Sequence, residues 1–319
     1  MEWLLSMMLN VTVSDYIRAM LFSGLLFYRE EFLNVKKVFR NWLEAILFRL
    51  GLLDGFMGKL RNGENVKIAN LWEYYRLLYA QMLDHAKIWG RIIEFKFNGT
   101  KLKFYLGKDK VGLLDALNVL SETFAIKPYK HLDVKRRVVV DIGSYIGDSP
   151  IYFVLMGARQ VYAFEPYPNS YNLLLKNIMA NNLDKRIIAF NEGLGEKVGR
   201  IKVNEDYRAL ATSRLKDFCK GRLVKLTNLE EIVREFNLKN ACLKMDCEGC
   251  EYSILETPKS ILKVFWEMII EYHHGYMNLK EKLESAGFQV KNTKPILYRV
   301  GDQKFLMGYL HAKNVKKNF

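Results

Sequence analysis

The stretch Arg137-Val-Val-Val-Asp-Ile-Gly-Ser-Tyr-Ile-Gly-Asp148, followed by Gln160-Val-Tyr-Ala-Phe-Glu-Pro166, constrains this chain more than any other. Val138 to Val140 is a β-branched run of the kind that becomes a strand buried on both faces of a parallel sheet. Asp141 falls at the carboxyl end of that strand, and Gly143 and Gly147 bracket a tight turn where a side chain would keep a ligand from the backbone. Pro150 is tolerated in a first helical turn, Ile151 to Met156 supply an apolar helix, and Gly157 closes it. Val161 to Phe164 make the next strand, which ends at Glu165. The pattern is a strand–turn–helix–strand unit.

An acid about 20 positions beyond the glycines, at the tip of the second strand, is placed to accept hydrogen bonds from both hydroxyls of a ribose. Dinucleotide enzymes use G-x-G-x-x-G, whereas this chain has Asp141-x-Gly143-x-x-x-Gly147 and no glycine at 145 to admit a pyrophosphate. S-adenosylmethionine carries no phosphate and needs none, so the spacing favours it as cofactor. The expected contacts are the turn Asp141, Gly143, Ser144, Tyr145, Gly147 and Asp148, with Gly143, Tyr145 and Gly147 along the methionine end. Glu165 falls to the ribose, and Tyr167 or Asn191 to the edge of the adenine. The plain alternative, a glycine-turned junction with no ligand, is weaker because the glycines and the acid corroborate each other.

Leu243-Lys-Met-Asp-Cys-Glu-Gly-Cys-Glu251 places three carboxylates within a few residues at the end of a central strand. Asp246 lies at the carboxyl edge, where open α/β sheets bind ligands, and Gly249 and Glu251 begin a helix over Tyr252 to Leu255. Acids at a helix start could serve capping alone. A second strand end, Ile269-Ile-Glu-Tyr-His-His274, delivers an acid and two imidazoles to the same edge. Asp246, Glu248, Glu271 and His273 are therefore the candidates for proton transfer, with His273 the natural acceptor near neutral pH and His274 less favoured.

Between Arg137 and about residue 275, strands at Val138 to Val140, Val161 to Phe164, Ile187 to Phe190, Ala241 to Met245 and Glu267 to Tyr272 alternate with helical patterns. This predicts a Rossmann-like, doubly wound, mostly parallel α/β sheet. Pro295 to Val300 and Lys304 to His311 flank Gly301-Asp302 and read as an antiparallel C-terminal hairpin. Upstream, Ile93, Phe95 and Phe97 alternate with Glu94 and Lys96 before an Asn98-Gly99 turn and Leu102, Phe104 and Leu106, a hairpin signature. Residues 1–90 read as an α-helical N-terminal extension: Val35, Val38, Phe39, Trp42, Leu43, Ile46, Leu47 and Leu50 follow helical spacing, and Asn70 caps a helix through Leu71, Tyr75, Leu78 and Met82. The expected organisation is a helical cap over 1–90, a hairpin and helix over 91–136, and a catalytic domain over 137–319.

At 319 residues, half of them hydrophobic, the chain can bury a core and carry an extension. Lys and Arg outnumber Asp and Glu by 49 to 35, a net charge of +14 that favours anionic partners without a dense basic block. Lys36, Lys37 and Arg40 could face a membrane surface, although a core-facing helix with a basic outer side is the better reading. The start Met1-Glu-Trp-Leu-Leu lacks signal-peptide features, and the apolar run Ala19 to Tyr28 is too short to span a bilayer. The expected location is the cytoplasm, with peripheral membrane contact through the N-terminal helices as a variant. Four cysteines make no secreted disulfide framework. Cys247-x-x-Cys250 has a nominal metal spacing and raises a zinc or redox reading, but no second such pair accompanies it and no metal is expected.

The residues Asp141-x-Gly143-x-x-x-Gly147-Asp148, Phe164-Glu165-Pro166, Asp246-x-Glu248-Gly249-x-Glu251 and Glu271-Tyr272-His273 resemble the FkbM-type S-adenosylmethionine-dependent methyltransferases. The resemblance covers roughly residues 92 to 311, and its acidic signature is more specific than its glycine turn. It implies a Rossmann-like methyltransferase fold and O-methylation of a hydroxyl on a glycan, lipid or secondary metabolite, with acceptor specificity expected from residues 1–90. The basic charge keeps an RNA methyltransferase as runner-up, although the strand-end motif that grips a flipped base is absent. A non-catalytic membrane-associated scaffold is the third reading; intact Gly143, Gly147, Glu165 and Asp246 argue against it.

Overall fold

A computed structural model describes residues 33–61, 63–107, 110–203, 221–300 and 303–315. The apolar run at 19–28 lies outside them. The chain divides into two compact units at Pro128/Tyr129.

The N-terminal unit is not the all-helical cap that periodicity suggested. Helix over 33–38 stops at Phe39, which bridges to Leu60, and resumes as α1 (Trp42–Arg49). The break has a tertiary cause: Asn41 Oδ1 accepts from the Lys59 N–H and its Nδ2 donates to the Met57 carbonyl, each at 2.8 Å. The interruption turns the apolar face, so Ala45 and Phe48 are buried while Leu43 and Leu50 are exposed. The partner is a hairpin, β1 (Phe56–Lys59) and β2 (Asn65–Ile68), in a stretch read as helical. Phe39, Phe48, Phe56 and Tyr74 form the aromatic centre of this core.

Helix α2 (Leu71–Met82) follows, and Asn70 caps it as expected, accepting from the Glu73 N–H at 3.0 Å while Glu73 reaches back to the Ala69 N–H. Strand β3 (Asp84–Trp89) then pairs with β4 (Ile92–Phe97), and β4 with β5 (Thr100–Tyr105), before α3 (Lys110–Ser121). Asn98 and Gly99, at φ 48° and 79°, make the two left-handed residues that a type I′ hairpin demands. Strand β3 belongs to the hairpin's own sheet, and the division between the two units falls after that sheet.

The second unit carries the expected α/β pattern. Its elements are β6 (Val138–Ile142), α4 (Asp148–Leu155), β7 (Gln160–Phe164), α5 (Pro168–Ala180) and β8 (Ile187–Phe190), then a small sheet of β9 (Glu192–Leu194), β10 (Gly199–Val203) and β11 (Arg222–Thr227). After α6 (Leu229–Glu235) come β12 (Ala241–Met245), a 3-10 turn at Cys250–Leu255 where a helix was expected, α7 (Lys259–Leu262), β13 (Phe265–Tyr272) and α8 (Met277–Ser285). Strands β14 (Phe288–Asn292), β15 (Ile296–Val300) and β16 (Gln303–Asn314) close the unit.

The main sheet runs β14-β16-β13-β12-β6-β7-β8, parallel from β13 to β8 and antiparallel where β16 meets β13, β14 and β15. From β6 the chain winds outward through β7 and β8, then crosses back to β12. The crevice beyond the carboxyl ends of β6 and β12 is thus the topological switch point, where such sheets hold ligands. Every residue of β12 is buried, Lys244 included. Among the described residues no helix is long and apolar enough to cross a membrane.

Candidate active site

The glycine turn is built by backbone proximity. The N–H groups of Gly143 and Ser144 both donate to the Phe164 carbonyl, at 3.0 and 3.1 Å, tying the end of β6 to the end of β7. Gly143 sits at φ 79°, and a Cβ there would lie 1.8 Å from the Asp246 carbonyl oxygen. The glycine is required by the approach of β12, a reason that sequence reading had given to the ligand. Gly147, at φ 94°, would bring a Cβ within 2.9 Å of Leu174 Cδ1. Tyr145 between them also adopts a left-handed backbone, at φ 41°. Asn177, fully buried on α5, donates to the Ile146 carbonyl at 2.8 Å and fixes the crest of the turn.

Glu165 stands at the tip of β7 and is buried. Its two carboxylate oxygens accept from the N–H groups of Tyr145 and Tyr167, each at 2.9 Å. Burial pushes its carboxyl up to about 8 despite those two donors. Asn191 turns its amide onto the Glu165 and Pro166 carbonyls at 2.9 and 3.0 Å, steadying the same strand end. The Tyr167 ring packs with Ile201, Val203 and Val224 of the small sheet.

Beneath the turn lies a charged cluster centred on Lys244, which sequence reading passed over. Lys244 faces Asp141 across β12 and β6, its Nζ 3.1 Å from Asp141 Oδ1 and 2.7 Å from the Gly143 carbonyl. Asp246 Oδ2 lies 3.9 Å away. Burial opposes the ammonium charge, but Asp141, Asp246 and Asp148 outweigh it and hold the group protonated. Asp141 also accepts from Ser149 Oγ at 2.7 Å, and Ser144 Oγ donates to the Asp141 carbonyl. The sequence signal was available: a lysine in the middle of a strand whose neighbours are all apolar must be paired.

The acidic signature and the β13 strand end meet as expected. Cys247 and Cys250 are joined in a disulfide, so their sulfurs are committed to each other and the zinc reading falls. Within that four-residue loop Glu248 and Gly249 take left-handed backbones, φ 57° and 116°. Glu251 is fully buried; its Oε2 accepts from the Gly249 N–H at 2.7 Å and its Oε1 lies 2.9 Å from His273 Nδ1. Glu248 Oε2 lies 3.3 Å from the other ring nitrogen, Nε2. Burial opposes a charge on His273, but Glu251, Glu248 and Glu271 raise it well above the usual histidine range, and His273 in turn holds Glu251 below the usual carboxylate range against burial. His273 thus bridges Glu251 and Glu248 and holds both carboxylates at the strand ends. His274 stands apart, its N–H donating to Tyr252 Oη at 2.9 Å.

Asp246 keeps partial exposure beside Tyr129, whose hydroxyl donates to it at 3.4 Å. One ligand atom each from Asp246, Glu271 and His273 lies within 4.8 Å of the others. The edge therefore offers carboxylates that can accept hydroxyl hydrogens, next to a turn built around a buried acid.

Residues 141–290 match the family model described as the methyltransferase FkbM domain. No curated protein matches the chain. Similar solved structures include the METTL16 MTase domain, at 15% identity and TM-score 0.43, covering 84% of this chain and 90% of that one. Another is M. jannaschii TYW2 in complex with AdoMet, at 16% identity and TM-score 0.37, covering 71% and 88%. M. capricolum TrmK in complex with S-adenosyl-homocysteine is similar at 17% identity and TM-score 0.34, covering 56% and 62%.

Proposed function

We propose, from the premise that the chain is an S-adenosylmethionine-dependent methyltransferase with its FkbM domain at residues 141–290, that it methylates a hydroxyl oxygen of a glycan, lipid or secondary metabolite. The cofactor supplies an electrophilic methyl group on a sulfonium. What supports the fit is Glu165: each of its oxygens accepts one backbone N–H and retains a second lone pair for a ribose hydroxyl. Asp141, Ser144 and Asp148 hold the turn over Lys244, while Gly143, Tyr145 and Gly147 shape the wall toward the methionine end. Asn191 sets the far end of the site.

The acceptor must be held in line with the methyl group while its proton leaves. Asp246, Glu248 and Glu271 are the groups that accept hydroxyl hydrogens, and His273 with Glu251 fixes Glu248 in place. The observation that carries the O-methylation reading is this concentration of carboxylates at the β12 and β13 ends, which matches a neutral polyhydroxyl acceptor and repels a phosphate backbone. The net charge of +14 favours RNA as the second reading. Labelled S-adenosylmethionine, offered with neutral glycans, hydroxylated lipids and RNA, separates them. A methyl ether formed on a neutral acceptor at a salt-insensitive rate is the expected result, and base-methylated RNA with steep salt dependence overturns it.

A further inference from the structure

We propose that Asp246, Glu271 and His273 form a divalent-cation site that chelates two neighbouring hydroxyls of the acceptor. This deepens the O-methylation reading and rests on it. In β12 and β13, Met245 pairs with Ile270, so Asp246 and Glu271 follow side by side at the carboxyl edge, and His273 comes just after. Their ligand atoms span no more than 4.8 Å. Donors about 2.1–2.3 Å from one cation stand roughly 3–4.6 Å apart, so small side-chain rotations complete the shell.

The imidazole is built for such a role. His273 is 1% exposed, and Glu251, itself fully buried, occupies Nδ1 at 2.9 Å. The other nitrogen, Nε2, lies 3.3 Å from Glu248 Oε2 at the edge of the cluster. A carboxylate behind the far nitrogen of a histidine is the arrangement that orients metal ligands and fixes their tautomer. The disulfide-closed loop from Cys247 to Cys250 anchors the same group, since Gly249 N–H donates to Glu251.

Charge points the same way. Glu251 and Glu248 lie 2.9 and 3.3 Å from the two ring nitrogens of His273, and Asp246 and Glu271 each bring a carboxylate oxygen within 4.8 Å, while Lys244 is held by Asp141 at 3.1 Å and the Gly143 carbonyl at 2.7 Å. A divalent cation offsets that excess. It takes the place of the Glu248 contact at His273 Nε2, and Glu248 is freed to face the acceptor. Three protein ligands leave positions open on an oxygen-preferring cation, and two adjacent hydroxyl oxygens fill two of them. The acceptor class is then a vicinal diol, as in a sugar or polyol, and Glu248 is the group that takes the proton of a cation-bound hydroxyl.

The test is a Mn2+ titration of the full-length chain after chelator treatment, read from the electron-paramagnetic signal of free Mn2+. One ion per chain is expected, with affinity weakened at least tenfold by Glu271→Gln and by Asp246→Asn in samples whose melting shows them folded. Absence of wild-type binding up to millimolar Mn2+, or undiminished binding in both folded variants, overturns the site. If neither variant folds, the wild-type stoichiometry decides. S-adenosylhomocysteine is titrated into the same wild-type protein to keep the two readings apart. Cofactor binding without Mn2+ binding refutes the cation site alone, and Mn2+ binding without cofactor binding refutes the methyltransferase reading on which the diol rests.

Discussion

Replacing Lys244 by methionine isolates the buried charge that joins β6 to β12. The side chain keeps its volume but loses an ion pair of 3.1 Å to Asp141 and a hydrogen bond of 2.7 Å to the Gly143 carbonyl. At an effective dielectric of about 20, the pair at that distance has a gross attraction of about 5 kcal/mol. Removing one partner of a buried pair leaves the other charge uncompensated, which costs about 3–5 kcal/mol. Lys244→Met should therefore lower the melting temperature by roughly 10 °C at pH 7, given 2–4 °C per kcal/mol for a unit of this size. The double variant with Asp141→Asn should recover most of it, because no charge is then left unpaired. Melting of the four proteins by circular dichroism at pH 7 checks this. A loss under about 2 °C, or no recovery in the double variant, would refute the account.

Gly143→Ala should destabilise by on the order of 4 kcal/mol and abolish S-adenosylhomocysteine binding in calorimetry, since its Cβ meets the Asp246 carbonyl at 1.8 Å. Near-normal melting would show that β6 and β12 part more easily than this spacing allows. Glu267, on β13, accepts from the Asp133 N–H at 2.8 Å and pairs with Lys313 at 3.1 Å; burial opposes its charge, but these partners and His311 hold it down to about 2. Its contribution is present above the unfolded value of 4.5 and is lost as pH falls toward 2. Discounted for its exposed partners it is about 1–2 kcal/mol. Urea unfolding should show wild type exceeding Glu267→Gln by that margin at pH 6 and by little near pH 2.5; a constant gap would count against it. In unreduced, unfolded protein Cys242 should react with a thiol reagent, and Cys247 and Cys250 should not. Reduction should expose both and lower stability by about 2 kcal/mol, from the small loop closed; reaction of Cys247 and Cys250 without reductant would disprove the bridge.

Much of this protein was legible in the residues because the signals are local. The run Val138–Val140, the turn of Gly143 and Gly147, the Asn98-Gly99 hairpin and the cap at Asn70 each depend on neighbours within a few positions. The period of strand and helix along 137–275 then leaves few ways to wind a parallel sheet. That Asp246, Glu271 and His273 converge also followed from chain order, since strand ends of a parallel sheet share one edge. Tertiary contact alone decided the rest. Asn41 breaks a periodic helix because β1 offers its backbone groups a better partner, and β3 falls in a segment whose apolar pattern suits either helix or strand. The identity of Lys244's partner depends on residues about a hundred positions away. The residues mark His273 as a candidate proton acceptor, and only packing brings Glu251 and Glu248 to its two ring nitrogens and raises its pKa. Cys247 and Cys250 carry a spacing that fits a metal or a bridge equally, and only the tight loop they close, with Glu248 and Gly249 in left-handed backbone, brings the sulfurs together.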